Sequence, residues 1–320
     1  MLIIAFKASA QNEQIRQVSG LNSVPNRIYP DPVRIAADPE KGFLSPYYLF
    51  IPDSLTRIKK PCHAELLVIP NNTGKPSDDS SFFDQDARHT IDGWRQFAAD
   101  MGVVVLIPVF PRPKTPVLYT HALSRAAMLT DSPVFHRLDL QLIAMIDDAI
   151  KREQVMGVDL DKQVFMYGFS AGGMFVNRFV FMHPDRVLAA AFGSPGGWAI
   201  VPVASWKGKT LPYPVGTADF RLIVGADFKA EAVAAVPQFL FMGSADKNDS
   251  VVYSDSYDEQ NKQLIFDLFG GTLLDRWAFS EQFYHQYLPY VQLKLYEGEA
   301  HHVTTAMKND IKTFFKLHQR

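Results

Sequence analysis

The stretch from Val164 to Gly173, Val-Phe-Met-Tyr-Gly-Phe-Ser-Ala-Gly-Gly, leaves this chain few ways to fold. An apolar, aromatic-rich run ends in Gly168-x-Ser170-x-Gly172, and a second apolar segment runs from Met174 to Met182. That order reads as strand, sharp turn and helix. Such a turn holds its serine in a strained backbone conformation, so the residues two places either side must be small. Gly168 and Gly172 meet the requirement, and Gly173 lets the helix lie close to the sheet. Ser170 then projects its hydroxyl from the end of a central strand, with the N–H of Ala171 beside it.

The rest of the chain alternates in the same way. The proline-rich stretch from Ile28 to Pro52, ending in Tyr47–Ile51, reads as edge strands of a sheet, His63–Pro70 as a short apolar strand, and Asn71–Ser81 as a polar loop. Trp94–Met101 reads as helix and Gly102–Pro108 as a buried parallel strand with almost no polar relief. Leu138, Leu142, Met145, Ile146 and Ile150 recur at helical spacing, with Asp147, Asp148, Lys151 and Arg152 on the opposite face. The segment after Ser170 carries Arg178 as its one charge, the pattern of a helix buried all round. Strands then follow at Arg186–Phe192, Val236–Gly243 and Val291–Tyr296, with helix over most of Asn261–Tyr287 and a last amphipathic helix marked by Val303, Met307, Ile311, Phe314 and Phe315. This rhythm predicts an α/β fold, a mostly parallel sheet covered by helices on both faces, with ligand chemistry at the strand C-termini. Residues 194–235 break it. Rich in proline and glycine and carrying Trp198 and Trp206, they read as an insertion over the active site or an irregular surface excursion.

Composition sets the bounds. In 320 residues, 47% hydrophobic and 12% aromatic, there is material for a large core, and residues 28–320 read as one domain. Lys and Arg (32) nearly balance Asp and Glu (34), and no basic block stands out, so nucleic-acid binding has no electrostatic support. The acidic cluster Asp246, Asp249, Asp255, Asp258 and Glu259 reads as a loop. The single cysteine, Cys62, excludes an internal disulfide and reads as a buried spectator thiol. No apolar run reaches the ~20 residues needed to span a bilayer. Residues 1–27 form a separate N-terminal segment. Met1–Phe6 is apolar and Ala8-Ser9-Ala10 has the form of a signal-peptidase site. The apolar part falls short of the ~7–15 residues of such a signal and lacks a positive segment ahead of it. The segment is consistent with the remnant of a secretion signal, which implies a secreted or periplasmic protein; otherwise the protein is cytoplasmic.

A serine hydroxyl needs a positioned base, itself oriented by a carboxylate. On a fold of this kind the chain order is serine, acid, histidine. His301, in Gly298-Glu299-Ala300-His301 between the last strand and the last helix, stands where that base belongs, with His302 as the alternative. Asp246, in Gly243-Ser244-Ala245-Asp246, follows the strand Phe239–Met242, and Asp249 competes with it for the role of acid. His301 and His302 are adjacent and would point apart, and none of the nine histidines forms a helical His-x-x-x-His pair beside carboxylates, so a metal centre is not expected. Tyr119-Thr120-His121 and Pro111-Arg112-Pro113 follow a strand end and read equally as pocket lining or loop packing.

These three motifs, Gly-Phe-Ser170-Ala-Gly-Gly, Gly-Ser-Ala-Asp246 and Gly-Glu-Ala-His301, resemble the α/β-hydrolase superfamily, in particular the esterase branch that includes polyhydroxybutyrate-depolymerase-like and feruloyl-esterase-like proteins. The resemblance spans Tyr48 to Leu317. It implies a serine hydrolase that cleaves a small-molecule carboxylic ester through an acyl-enzyme, without cofactor or metal. Many members carry His-Gly after the strand that supplies the second oxyanion-hole N–H; here the strand runs into Pro70-Asn71-Asn72-Thr73-Gly74. A backbone donor is indifferent to its side chain, so Asn72 serves beside Ala171, with Asn71 or Thr73 one residue away. Two rivals share the fold: a peptidase or amidase, and a catalytically silent binding protein. Acyl and alcohol specificity and oligomeric state are not encoded in any motif of the chain.

Overall fold

Side-chain alternation along the strands decides which helices cover which face of the sheet. In this computed structural model, which describes residues 30–253 and 256–320, eight strands of one sheet are β1 (Val33–Ile35), β2 (Tyr47–Phe50), β3 (Leu66–Val68), β4 (Val104–Pro108), β5 (Val164–Phe169), β6 (Val187–Gly193), β7 (Gln238–Gly243) and β8 (Val291–Tyr296). Their spatial order is β1-β2-β4-β3-β5-β6-β7-β8. β1 and β2 are antiparallel, as is β2 to β4; every later pairing is parallel. Val164, Met166, Leu240 and Met242 point to one face and join a core with helices α2 (Leu138–Val155) and α3 (Ala171–Met182). Phe165, Tyr167 and Phe239 point to the other. There Phe165 meets Phe315 at 4.7 Å between ring centroids, Tyr167 meets Trp94 at 4.2 Å and Phe239 meets Phe314 at 5.7 Å. Those partners sit on α1 (Ser80–Met101) and α6 (Thr305–His318).

Helix α3 is buried over its whole length, as its apolar composition requires. Its polar residues are all engaged. Arg178 donates to the carbonyl of Ala122 and the hydroxyl of Ser256, both at 2.5 Å. Asn177 donates to Tyr284 Oη at 2.6 Å and accepts from the Ile200 N–H at 3.0 Å. The last bond belongs to the excursion of residues 194–235. Trp198, Ile200, Val201, Leu211, Tyr213 and Val215 are buried in the same core as α3, and Trp198 stacks on Phe269 at 4.1 Å. Most of this segment is therefore packing against α3, α4 (Glu259–Phe269) and α5 (Leu273–Tyr287). It holds a small hairpin, Ser205–Trp206 with Lys209–Thr210, and two short helices, Phe220–Val224 and Ala230–Ala235.

Several expectations need correction. The first long helix begins at Ser80, fourteen residues before Trp94, capped by the Asp79 carboxylate on the Ser81 N–H at 2.9 Å. Its early turns carry too many polar residues to announce themselves. The stretch His63–Pro70 is two strands: Cys62–Ala64 leaves the main sheet and pairs with Val158–Leu160, and only Leu66–Val68 enters it. Cys62 is half-buried, with Lys60 Nζ 3.6 Å from its sulfur. The helix over Asn261–Tyr287 is two helices, broken at Gly270-Gly271 and restarted by a capping box between Thr272 and Asp275. No helix among the described residues is long and apolar enough to cross a membrane. The N-terminal segment 1–27, the start of the domain at 28 and the loop residue Asp255 lie outside the described residues.

Candidate active site

The turn at Ser170 has the strain its sequence implies. Ser170 sits at φ 58°, ψ −122°, a backbone conformation that costs a non-glycine residue about 1–3 kcal/mol. It is held there by a Ser170 N–H bond to the Gly193 carbonyl on β6 at 2.9 Å. A Cβ on Gly168 would stand 2.1 Å from the Gly172 carbonyl oxygen, and one on Gly173 would stand 2.5 Å from that of Gly193. These two glycines make the turn possible. Gly172 is less constrained than its place in the motif suggests, because its nearest neighbour, the Pro70 carbonyl, is at an ordinary 3.5 Å.

Two loops flank the serine. On one side, β7 ends at Gly243, where a Cβ would collide with the Glu299 carbonyl at 2.1 Å. The bare glycine lets the loop after β8 close onto the loop after β7. Ala245 N–H donates to that same Glu299 carbonyl at 2.9 Å, and Gly298 N–H donates to Ser244 Oγ at 2.8 Å. The result brings His301 Nδ1 to 2.8 Å from Asp246 Oδ2. The other carboxylate oxygen accepts the Asn248 N–H at 2.8 Å. Burial pushes the Asp246 carboxyl up, but the bonds from His301 and Asn248 outweigh it, and its pKa lies below the ordinary carboxylate value. The His301 ring is partly exposed and lies against Phe169, the residue before Ser170, at 4.8 Å between ring centroids. The Ser170 hydroxyl makes no hydrogen bond within the described residues.

The alternatives separate cleanly. Asp249 turns into the interior: its carboxylate pairs with the buried guanidinium of Arg276 and accepts the Val251 N–H at 3.0 Å. Arg276 in turn donates to the Gly197 carbonyl at 2.8 Å, so this pair anchors the start of the 194–235 excursion. His302 points to solvent, 3.2 Å from the Glu299 carboxylate.

On the other side of Ser170 lies the loop after β3. Asn72 Nδ2 donates to the Phe169 carbonyl at 2.8 Å, which ties this loop to the turn, and the Asn72 N–H itself has no acceptor among the described residues. The Asn71 side chain bridges the backbone of Phe110, giving a bond to its carbonyl at 3.0 Å and taking one from its N–H at 3.1 Å. The Thr73 N–H is spent on His121 Nδ1 at 3.3 Å. Ala171, first residue of α3, has an N–H with no intrahelical acceptor. The N–H groups of Ala171 and Asn72 are thus open donors near Ser170, and that of Asn71, whose side chain alone is engaged, is open as well.

His121, read above only as pocket lining or packing, is the hub of this loop. It is buried, its Nε2 lies 2.7 Å from the Phe110 carbonyl, and accepting from Thr73 requires Nδ1 to be the unprotonated nitrogen. Burial, reinforced by the positive charge of Arg112, pushes its pKa down to about 4, so the ring is neutral at physiological pH. No motif signals this role; the one hint is a histidine shortly after a buried parallel strand.

The folded chain superposes on structures of known proteins. Poly(aspartic acid) hydrolase-1 from Sphingomonas sp. KT-1 superposes with a TM-score of 0.60 at 20% identity, covering 89% of this chain and 98% of its own. The poly(3-hydroxybutyrate) depolymerase LpqC from Bordetella parapertussis gives 0.54 at 16% identity, covering 89% and 88%. The chain has the α/β-hydrolase fold. No protein-family model matches it, and no curated protein sequence does. On an α/β-hydrolase fold the strained serine belongs at the C-terminal end of a central strand, and β5 is central here.

Proposed function

We infer that this protein is a serine hydrolase that cleaves carboxylic esters through an acyl-enzyme, with Ser170, His301 and Asp246 as its catalytic triad. The observation that carries the reading is the 2.8 Å bond between Asp246 and His301, made by two loops closed on each other beside a serine held at positive φ. The similarity of the folded chain to a polymer hydrolase and a depolymerase supports hydrolysis as the reaction class.

The chemistry follows from the atoms. Ser170 Oγ attacks the ester carbonyl carbon while His301 Nε2 takes its proton. Asp246 accepts the Nδ1–H, fixing the ring's tautomer and stabilising the imidazolium. The oxygen of the tetrahedral intermediate receives the N–H groups of Ala171 and Asn72, donors already oriented and with no other partner. His301 returns the proton to the leaving alcohol. Water then attacks the acyl-serine with His301 again as base, releasing the acid and restoring Ser170. In the resting protein the Ser170–His301 bond is unformed; such contacts often tighten only when substrate binds.

Intact-mass spectrometry after exposure to a fluorophosphonate tests the assignment. Wild type is expected to gain one adduct and Ser170→Ala none, with ester turnover lost in the variant and its circular dichroism unchanged. Full residual turnover in a folded Ser170→Ala protein sinks the reading.

A further inference from the structure

Arginines near the strand C-termini of this molecule mostly have acidic partners. Arg125 pairs with Asp219 and Arg276 with Asp249. Arg112, just after β4, has none within 4.0 Å among the described residues. Its Nη1 donates to the carbonyls of Thr73 at 3.4 Å and Gly74 at 3.3 Å, the residues that directly follow Asn72. The guanidinium carbon stands 3.7 Å from the centroid of the Tyr119 ring. Carbonyl and ring contacts orient a guanidinium without neutralising it. Because Nη1 makes both hydrogen bonds, the edge formed by Nε and Nη2 has no hydrogen-bond partner among the described residues, and that edge carries two parallel N–H groups in the fork that matches a carboxylate.

The same guanidinium lines a cavity of about 390 Å³, within the range of small-molecule sites. Pro76, Pro113, Leu118 and Tyr257 supply apolar wall; Ser170 and His301 are not in the lining, so an ester held at Arg112 has to reach the serine past the Asn72–Gly74 loop. Of the two other charged side chains on the wall, Arg125 is paired with Asp219, while Asp258 caps α4 by accepting the N–H and side-chain amide of Asn261 and keeps its negative charge. Among the described residues, Arg112 is therefore the cation on this wall without an acidic partner, and it is anchored to the loop that presents Asn72 beside Ser170.

Building on the serine-esterase reading, we propose that Arg112 binds a substrate carboxylate, so that the preferred ester carries a carboxylate at the far end of its acyl or alcohol part. Arg112 is a specificity residue in this scheme and takes no part in the bond-breaking steps.

Matched ester pairs test it: 4-nitrophenyl hexanoate against mono-4-nitrophenyl adipate for the acyl side, and phenyl butyrate against 4-carboxyphenyl butyrate for the alcohol side. Wild type should prefer the carboxylate-bearing member of one pair. Arg112→Gln should lower kcat/KM for that member about 10- to 100-fold, through KM, the size of a lost charge-assisted hydrogen bond. The neutral member should change by less than about threefold, and Arg112→Lys, which keeps the charge, should recover part of the loss. Equal losses on neutral and anionic esters would assign Arg112 to holding the Thr73–Gly74 loop alone and overturn the proposal, as would the absence of a preference in both pairs. Calorimetric binding of adipate, with hexanoate as control, to wild type and Arg112→Gln decides the point even if no ester is turned over. Failure of the esterase reading is detected separately by the fluorophosphonate adduct.

Discussion

The two loops that flank Ser170 solve the same problem in opposite ways. The loop carrying Asp246 is fixed by absence: Gly243 has no side chain, the Glu299 carbonyl fills the space, and His301 is drawn onto the carboxylate. The loop carrying Asn72 is fixed by presence, with the side chains of Asn71 and His121 occupying the backbone groups of Phe110 and Thr73. A loop built by missing side chains leaves a sequence trace, because glycine is conspicuous at a strand end. A loop built by buried polar side chains leaves little trace, because Asn and His occur on every polar surface. The difference also locates the chemistry. The first loop is proposed to move protons, whereas the second must keep backbone donors still and carries a histidine that burial holds neutral.

The largest expected effect breaks the first loop without disturbing its fold. Asp246→Asn keeps the size of the side chain but presents an amide to His301 Nδ1, favouring the wrong tautomer. Turnover should fall about 10,000-fold with little change in melting temperature. Asp249→Asn is the control three residues away. It leaves the buried Arg276 charge unpaired, which should cost about 3–5 kcal/mol of stability, while kcat of the protein that remains folded stays near wild type. Steady-state kinetics and thermal unfolding on both variants check the pair. If the two residues exchange these phenotypes, the assignment of the acid is wrong.

That contrast bears on how much was readable in the chain itself. The strand order could not be read directly, but the α/β alternation, the strained turn and the Gly-Ser-Ala-Asp246 and Gly-Glu-Ala-His301 loops were, because each depends on local patterning and on glycine. What escaped depends on tertiary contact. Asp246 and Asp249 sit in one polar loop, and only the position of Arg276, on a distant helix, pulls Asp249 inward. Among Asn71, Asn72 and Thr73, the N–H of Thr73 is taken by His121, 48 residues away, a contact no local pattern announces. The excursion of residues 194–235 has no period because its buried apolar side chains answer to neighbouring helices, and its own hairpin and two helices are too short to show one.

The next effect tests the second loop. His121→Phe keeps a flat ring but strands the Thr73 N–H, which costs about 1–3 kcal/mol when buried, and leaves the Phe110 carbonyl with the bond from Asn71 alone. It should also lower kcat, by freeing the Asn72 donor to move, while leaving the formation of a fluorophosphonate adduct detectable. The pH dependence of wild-type stability offers a check without mutation. The folded pKa of His121, about 4, lies below its unfolded value near 6.5, so the unfolded chain binds more protons between them. Its contribution is fully present above about pH 6.5 and is lost as pH falls toward 4, amounting to about 3 kcal/mol. His121→Phe should abolish that part of the slope. A variant whose stability keeps the full wild-type slope between pH 6.5 and 4 would show that His121 is not the group responsible.

The smallest effect is the one that the adjacent histidines invite. His302 is exposed, and its partner is the partly exposed carboxylate of Glu299 on the same loop. An ion pair of this kind contributes about 0–1 kcal/mol, and the Asp246 carboxylate is engaged by His301 and the Asn248 N–H instead. His302→Gln should therefore change kcat/KM by less than about threefold and stability by no more than about 0.5 kcal/mol. The backbone bond from the His302 N–H to the Ala300 carbonyl, at 2.9 Å, survives the substitution and keeps the turn that presents His301. A loss approaching that of Asp246→Asn would transfer the base to His302 and undo the contrast between the two loops, since the 2.8 Å contact at His301 would then be a structural bond only.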